Sequence, residues 1–130
     1  MGEHPNLTVA RAAWQAASAG DVTALRAAFA PDVVWNATAK GTPWEGTHVG
    51  PDAVIDHLAR IGETVEIFDA TLDDILISES RAAYVFEIKL KLGDREAKVG
   101  YQLLARIEDG LVTEVWTAPL DPRALERMWD

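Results

Sequence analysis

An alternation of apolar and polar side chains in the second half of the chain constrains the fold most strongly. The apolar set is Tyr84, Phe86, Ile88, Leu90 and Leu92, interleaved with Val85, Glu87, Lys89 and Lys91. This two-residue period predicts a long strand with one apolar face, preceded by another strand over Phe68 to Ile77. Turn residues at 93–94 and 108–110 lead into two further strands, Ala97 to Ile107 and Leu111 to Ala118. The sequence therefore predicts an antiparallel meander.

Helical spacing dominates the start of the chain instead. The residues with three-and-four spacing are Leu7, Ala10, Trp14 and Ala17. This spacing predicts an amphipathic helix, with Asn6 or Thr8 as the capping residue and Gly20 at its end. The first element is therefore expected to pack an apolar stripe against the sheet.

Aspartate and proline residues mark the remaining boundaries. Asp21 is a suitable N-cap for a second short helix, which Pro31 should stop. The β-branched and aromatic segment Asp32 to Ala39 predicts the first strand. Pro51 favours the start of a third helix, and Asp121 followed by Pro122 favours a short last one. Helices covering an antiparallel meander give an α+β layer packing.

Composition excludes several classes of function. The 130 residues fit one domain, residues 1–130, and the chain contains no apolar run of the roughly 20 residues that span a bilayer. A net charge of −9 without a basic stripe disfavours nucleic acid as a partner. The chain has no cysteine, and its three histidines lack zinc-site spacing, so we expect no metal. The N-terminus shows no secretory pattern, which predicts a cytoplasmic protein.

Three segments together resemble a known family. They are AGDVTALRAAFAPDVVW, WEGTHVGPDAVIDHL and EDGLVTEVWTAPLD, and their order and spacing resemble the SnoaL-like branch of the nuclear transport factor 2-like (NTF2-like) superfamily. The resemblance implies an NTF2-like or cystatin-like cone. In such a cone, three N-terminal helices pack on a curved, mixed, mostly antiparallel sheet and enclose a pocket. It also implies a homodimer formed through the outer face of the sheet.

Aromatic residues are the predicted ligand-binding set. Trp44 lies in a glycine-rich loop that the resemblance places near the pocket, where the indole forms a lid or wall, or alternatively plugs the core. The other members are Trp14, Trp35, Tyr84, Phe86 and Trp116, whose periodicity points them toward the interior between helices and sheet. They predict an aromatic cavity, although residues with this spacing also commonly fill a core.

Four polar residues are the predicted catalytic set. Asp121 corresponds to an aspartate that acts as acid or base in the resembling polyketide cyclases, and it is equally suited to capping the last helix. His48 is a candidate proton acceptor near neutral pH or a solvated loop residue. Asn36 and Tyr101 are candidates to polarise a carbonyl, Asn36 being alternatively a strand-end amide. Ala118 occupies the position of the first aspartate in the resembling limonene-type epoxide hydrolases, which argues against that chemistry.

The resulting expectation is a protein that binds a small hydrophobic, oxygen-bearing molecule such as a polyketide, terpenoid or steroid-like metabolite. As an enzyme it would work without a cofactor, by proton-transfer chemistry of the isomerase, cyclase or hydratase/hydrolase type. The alternative is a non-catalytic ligand-binding or dimeric interaction module. That alternative is favoured by the lack of a complete acid–base pair in the sequence.

Overall fold

A computed structural model describes residues 3–129 and places four α-helices on a six-stranded sheet. The helices are α1 (Pro5–Ala19), α2 (Val22–Ala28), α3 (Pro51–Thr64) and α4 (Pro122–Glu126), followed by a 3₁₀ turn at Arg127–Trp129. The strands are β1 (Phe29–Ala37), β2 (Gly46–Val49), β3 (Glu66–Ile77), β4 (Arg81–Leu92), β5 (Arg95–Glu108) and β6 (Leu111–Pro119). The predicted α+β class and the three N-terminal helices are confirmed. None of the described helices is both long and apolar enough to cross a membrane.

Most helix boundaries lie where the caps predicted them. Gly20 ends α1 in the left-handed conformation, with a φ of 68° that favours glycine. The Asp21 side chain accepts a hydrogen bond from the backbone N–H of Ala24 at 3.0 Å and so starts α2. Pro51 occupies the first turn of α3, as predicted. The structure agrees with these local signals because each residue suits a helix end, where backbone groups have no partner within the helix.

The start of α1 differs from the prediction. His4 is the N-cap, and its Nδ1 accepts the backbone N–H of Asn6 at 3.1 Å, so neither Asn6 nor Thr8 caps the helix. Pro5, at the first helical position, moves the start of the helix ahead of Asn6. The Asn6 amide instead donates to two backbone carbonyls of the turn between β3 and β4. Asn6 therefore ties α1 to the sheet.

The sheet has the strand order β2-β1-β6-β5-β4-β3. All neighbours are antiparallel except β1 and β6, which are parallel, so the sheet is mixed as the resemblance implied. Strand β2 was not predicted, because its segment is rich in glycine and reads as a loop; it pairs with β1 through Trp35 and His48. Strand β1 begins at Phe29 and contains Pro31 at a register shift, where a missing N–H is tolerated.

The helices cover one face of the sheet and produce two adjoining apolar clusters. One is centred on Val33, Trp35 and Tyr84 below α1 and α3. The other contains Trp44 and Tyr101 and is closed by Leu125 of α4. Together they place the inward-facing residues of four strands around a cavity between the helices and the sheet.

Candidate active site

A cavity of about 720 Å³ lies between helices α1 to α3 and the inner face of the sheet. This volume is within the range of pockets that bind drug-sized molecules. Six of the residues predicted from the sequence line it: Trp14, Trp35, Trp44, Tyr84, Phe86 and Tyr101. Most of the other lining side chains are aliphatic, so the space favours an apolar guest.

Stacked aromatic rings form one continuous wall. Trp14 of α1 meets Phe86 of β4 edge-to-face, with ring centroids 5.1 Å apart. Phe86 in turn stacks on Tyr101 of β5 at 5.7 Å, and Trp14 stacks on Tyr84 at 6.1 Å. Strand alternation places the three sheet residues on one face, and cross-strand pairing of Phe86 with Tyr101 fixes their register. The wall is therefore held rigidly by both layers of the fold.

The two tyrosine hydroxyls differ in their hydrogen bonding. The Tyr84 hydroxyl donates to the backbone carbonyl of Ala10 at 2.7 Å. The Tyr101 hydroxyl forms no hydrogen bond with any described residue, although the side chain is buried against the cavity. Burial raises the pKa of both phenols, so they remain protonated at neutral pH. Tyr101 is thus a free donor, whereas Tyr84 is committed to the structure.

Trp44 is part of the wall. Its side chain is buried, and its Nε1–H donates to the Thr64 hydroxyl at the end of α3, at 3.0 Å. Its ring packs edge-to-face on Trp129 with centroids 5.4 Å apart. The sequence predicted that Trp44 either lines the pocket or plugs the core. In the structure it does both: the buried indole forms part of the cavity wall and packs in the core, and it is not an exposed lid.

His57, which was not among the predicted site residues, lines the cavity from α3. It is buried, and its ring lies 6.3 Å from that of Trp35, measured between centroids. Burial, aided by His48 and Arg60 nearby, lowers the pKa of His57 to about 4, so the imidazole is neutral at pH 7. The sequence feature that could have identified His57 is its spacing: it lies three residues after Val54 and four before Ile61, on the apolar stripe of α3.

His48 lies directly behind His57. Its ring stacks on that of His57 with centroids 4.1 Å apart and an interplanar angle of 24°. Burial, followed by the charge of Arg60, lowers the pKa of His48. Within residues 3–129, the buried Nε2 of His48 has no hydrogen-bond partner, and neither does the buried Nε1 of its cross-strand neighbour Trp35. His48 therefore supports the wall without lining the cavity.

Two other predicted catalytic residues lie away from the cavity. Asn36 donates from its amide nitrogen to Glu114 Oε2 at 3.1 Å and to the carbonyl of Val115 at 3.0 Å. Asp121 accepts from the backbone N–H groups of Arg123 and Ala124, which makes it the N-cap of α4. Of the two roles predicted for Asp121, this geometry matches the cap.

The inward orientation predicted for Trp116 is corrected by the structure. Its neighbours on β6, Val115 and Thr117, line the cavity, so Trp116 points to the outer face of the sheet. There the Arg106 guanidinium lies 5.8 Å from the centre of its ring. Both faces of β6 carry apolar side chains, because it is a central strand, and the alternation therefore did not distinguish inside from outside.

The polar groups facing the cavity define what it can do chemically. His57 offers a neutral imidazole that accepts a proton, and Tyr101 offers a hydroxyl that donates a hydrogen bond. The carboxylates among the described lining residues are those of Asp21 and Asp69, and both are exposed. The interior thus combines an acceptor and a donor within a mostly apolar space, to which the buried Thr117 adds one further polar side chain.

The family comparisons agree with this architecture. A family model described as "SnoaL-like domain" matches residues 10–115. A search of curated proteins finds no match to this chain. Among solved structures, Bal32a from a soil-derived mobile gene cassette is 22% identical, with a TM-score of 0.88 over 97% of both chains. An NTF2-like protein from Burkholderia xenovorans is 21% identical, with a TM-score of 0.85 over 100% of this chain and 99% of that one.

A third structure has a ketosteroid isomerase-like fold. This Catenulispora acidiphila protein, solved in complex with trimethylamine, is 16% identical, with a TM-score of 0.72 over 85% of this chain and 83% of that one. At these identities the structural likeness establishes the fold alone. The family model, which covers most of the chain, places it more closely: the chain belongs to the family of SnoaL-like domains.

Proposed function

We propose that the cavity binds a small hydrophobic molecule with a carbonyl group and catalyses a proton transfer next to that carbonyl without a cofactor. The observation that carries this proposal is the presence of the free Tyr101 hydroxyl and the neutral His57 imidazole in the same apolar cavity. The substrate class is a polyketide, terpenoid or steroid-like ketone, because the space is large and its polar groups are few.

In the proposed step His57 is the base and Tyr101 is the hydrogen-bond donor. An imidazole nitrogen of His57 takes a proton from the carbon next to the carbonyl, and the C–H electron pair moves to the oxygen to form an enolate. The Tyr101 hydroxyl donates a hydrogen bond to that oxygen, where negative charge develops. When the ketone carries a conjugating C=C bond, return of the proton from His57 to the far carbon of the dienolate gives an isomer. Attack of the enolate on a second carbonyl forms a C–C bond and an alkoxide, which takes the proton from His57 to give a cyclised alcohol.

His57 replaces the proton acceptors suggested by the sequence. His48 stacks behind it, and Asp121 is occupied as a helix cap, so neither lines the cavity. Asn36 lies on the other face of the sheet and is bonded to Glu114 and Val115. Tyr101 keeps its proposed role as the group that polarises the carbonyl.

Proton exchange tests this proposal on simple ketones and does not require the natural substrate. Hydrophobic ketones and enones are incubated with the protein in D₂O, and NMR records deuterium entering the position next to the carbonyl. We expect exchange with wild type, a large loss in His57→Gln and Tyr101→Phe, and retention in Asp121→Asn. Equal exchange in wild type and both cavity variants would exclude the proposed roles.

A second candidate function is non-catalytic ligand binding. It is favoured by the low pKa of His57, which makes the imidazole a weak base, and by the exposed positions of both lining carboxylates. Quenching of tryptophan fluorescence by ketones without any deuterium exchange would select this alternative.

We also propose that the protein is a homodimer formed through the outer face of the sheet. Cross-strand partners on that face form a row of Asn36, Trp116, Leu104, Ala83 and Leu76. The last four are apolar, and the described helices contact the opposite face through the two core clusters. A second copy of the same row would cover this surface.

A further inference from the structure

The exposed part of the cavity lining comes from elements that contact one another. The exposed lining residues come from three segments: residues 17–22 at the α1–α2 junction, Ala59 and Gly62 of α3, and residues 67–70 of β3. The remaining lining residues are buried or half-buried. These three segments therefore surround the mouth of the cavity.

The mouth carries a large share of the exposed apolar surface. Six large apolar side chains are exposed in the described chain, and three of them, Val22, Ile67 and Phe68, line the mouth. Phe68 is 50% exposed. Exposed apolar groups gathered at one opening, unlike single ones scattered on a surface, are typical of a binding surface.

A β-bulge places two of these side chains together. In the pairing of β3 with β4, Ile67 lies opposite Leu90 and Asp69 lies opposite Lys89, so Phe68 is an extra residue without a partner. Consecutive residues of a regular strand point to opposite faces, whereas here both Ile67 and Phe68 line the mouth. The bulge thus places Phe68 at the mouth beside Ile67, where it also borders a second, smaller pocket lined by Lys89 and Lys98.

We propose that Val22, Ile67 and Phe68 form a mouth subsite that binds the outer, apolar end of a ligand longer than the cavity. This inference rests on the proposed function, which places the carbonyl of the ligand deep in the cavity. An anionic outer end is disfavoured, because the carboxylates of Asp21 and Asp69 lie at the mouth of a protein with a net charge of −9, although Asp69 is 3.8 Å from the Lys89 ammonium; the apolar side chains there favour a neutral end. The ligand class is therefore an elongated neutral ketone or ester, not a fatty acid.

A homologous series of straight-chain methyl ketones, from short to long, tests the subsite by quenching of tryptophan fluorescence. Phe68→Ala removes the ring, and Leu120→Ala is the control, because Leu120 is a large apolar residue that is 56% exposed and does not line the cavity. We expect the affinity of Phe68→Ala for the longest ketone to fall about tenfold, with the shortest unaffected and Leu120→Ala like wild type. Carboxylic acids of equal length should bind more weakly than the ketones.

Two results would overturn the inference. In one, wild type binds short and long ketones with equal affinity; in the other, Phe68→Ala weakens both equally or neither. Acids binding as well as ketones would remove the neutral-ligand assignment. A wild type that binds no ketone of any length would instead refute the proposed function. Failure of the mouth subsite and failure of the proposed function therefore give different results. Val22→Ala serves as a second variant on the opposite side of the mouth.

Discussion

The imidazole rings of His48 and His57 stack at 4.1 Å, one from an edge strand and one from the helix that covers it. Burial is the main cause of the lowered pKa of both rings. The charge of Arg60 adds to it for His48, and His48 and Arg60 add to it for His57, whose pKa falls to about 4. The imidazole of His57 in the cavity wall is therefore neutral at neutral pH.

The histidine stack predicts a loss of stability in acid. His57 is neutral in the folded protein but protonates near pH 6.5 when unfolded, so the unfolded state binds more protons between about pH 6.5 and 4. The free energy of unfolding should therefore fall by roughly 3 kcal/mol as the pH drops through this window. Urea unfolding at several pH values measures it. His57→Gln should flatten this pH dependence, and an unchanged slope in that variant would contradict the assignment.

The two tyrosines should respond differently to loss of their hydroxyls. Tyr84→Phe removes the bond to Ala10 and should lower the free energy of unfolding by about 1 kcal/mol. Tyr101→Phe removes no bond to a described residue, so its stability should stay close to wild type, while deuterium exchange of ketones should fall roughly a hundredfold. Denaturant unfolding and NMR exchange are measured on both variants. Loss of exchange in Tyr84→Phe and not in Tyr101→Phe would assign the hydrogen bond to the substrate to Tyr84 instead of Tyr101.

Asp121 should matter for stability and not for chemistry. Asp121→Ala leaves the first N–H groups of α4 without their acceptor and should cost about 1 kcal/mol in thermal or urea unfolding. Its rate of ketone exchange should match that of wild type once the protein is folded. A folded Asp121→Asn variant with a large loss of exchange would return this residue to the catalytic set.

Trp116 should control the oligomeric state. Trp116→Glu places a charge in the apolar row of the outer sheet face and should give a monomer by light scattering, whereas the proposed interface predicts a dimer for wild type. Val22→Glu is the control, because Val22 is 47% exposed but lies on α2 at the mouth of the cavity. A dimer that persists in Trp116→Glu would locate the interface elsewhere.

Local chemistry made part of this structure predictable. Alternation over β4 and the turn residues before β5 and β6 indicated the meander, and Gly20, Asp21, Pro51 and Asp121 indicated helix boundaries. Each of these signals acts within a few residues, through a backbone conformation or a cap that the residue favours by itself. Periodicity also predicted five of the aromatic residues that line the cavity, and the family resemblance predicted a sixth, Trp44.

The site itself depended on contacts between distant segments. The position of His57 follows from the packing of α3 over β2, a strand whose sequence is typical of a loop. The outward position of Trp116 follows from which face of β6 the helices cover. Periodicity tells which residues share a face, but only the packing of whole elements decides which face is covered and where a space remains. The sequence by itself thus determined the elements and their apolar stripes. The tertiary structure decided the cavity, the position of His57 in its wall and its mouth, because these arise from long-range contacts that no local pattern encodes.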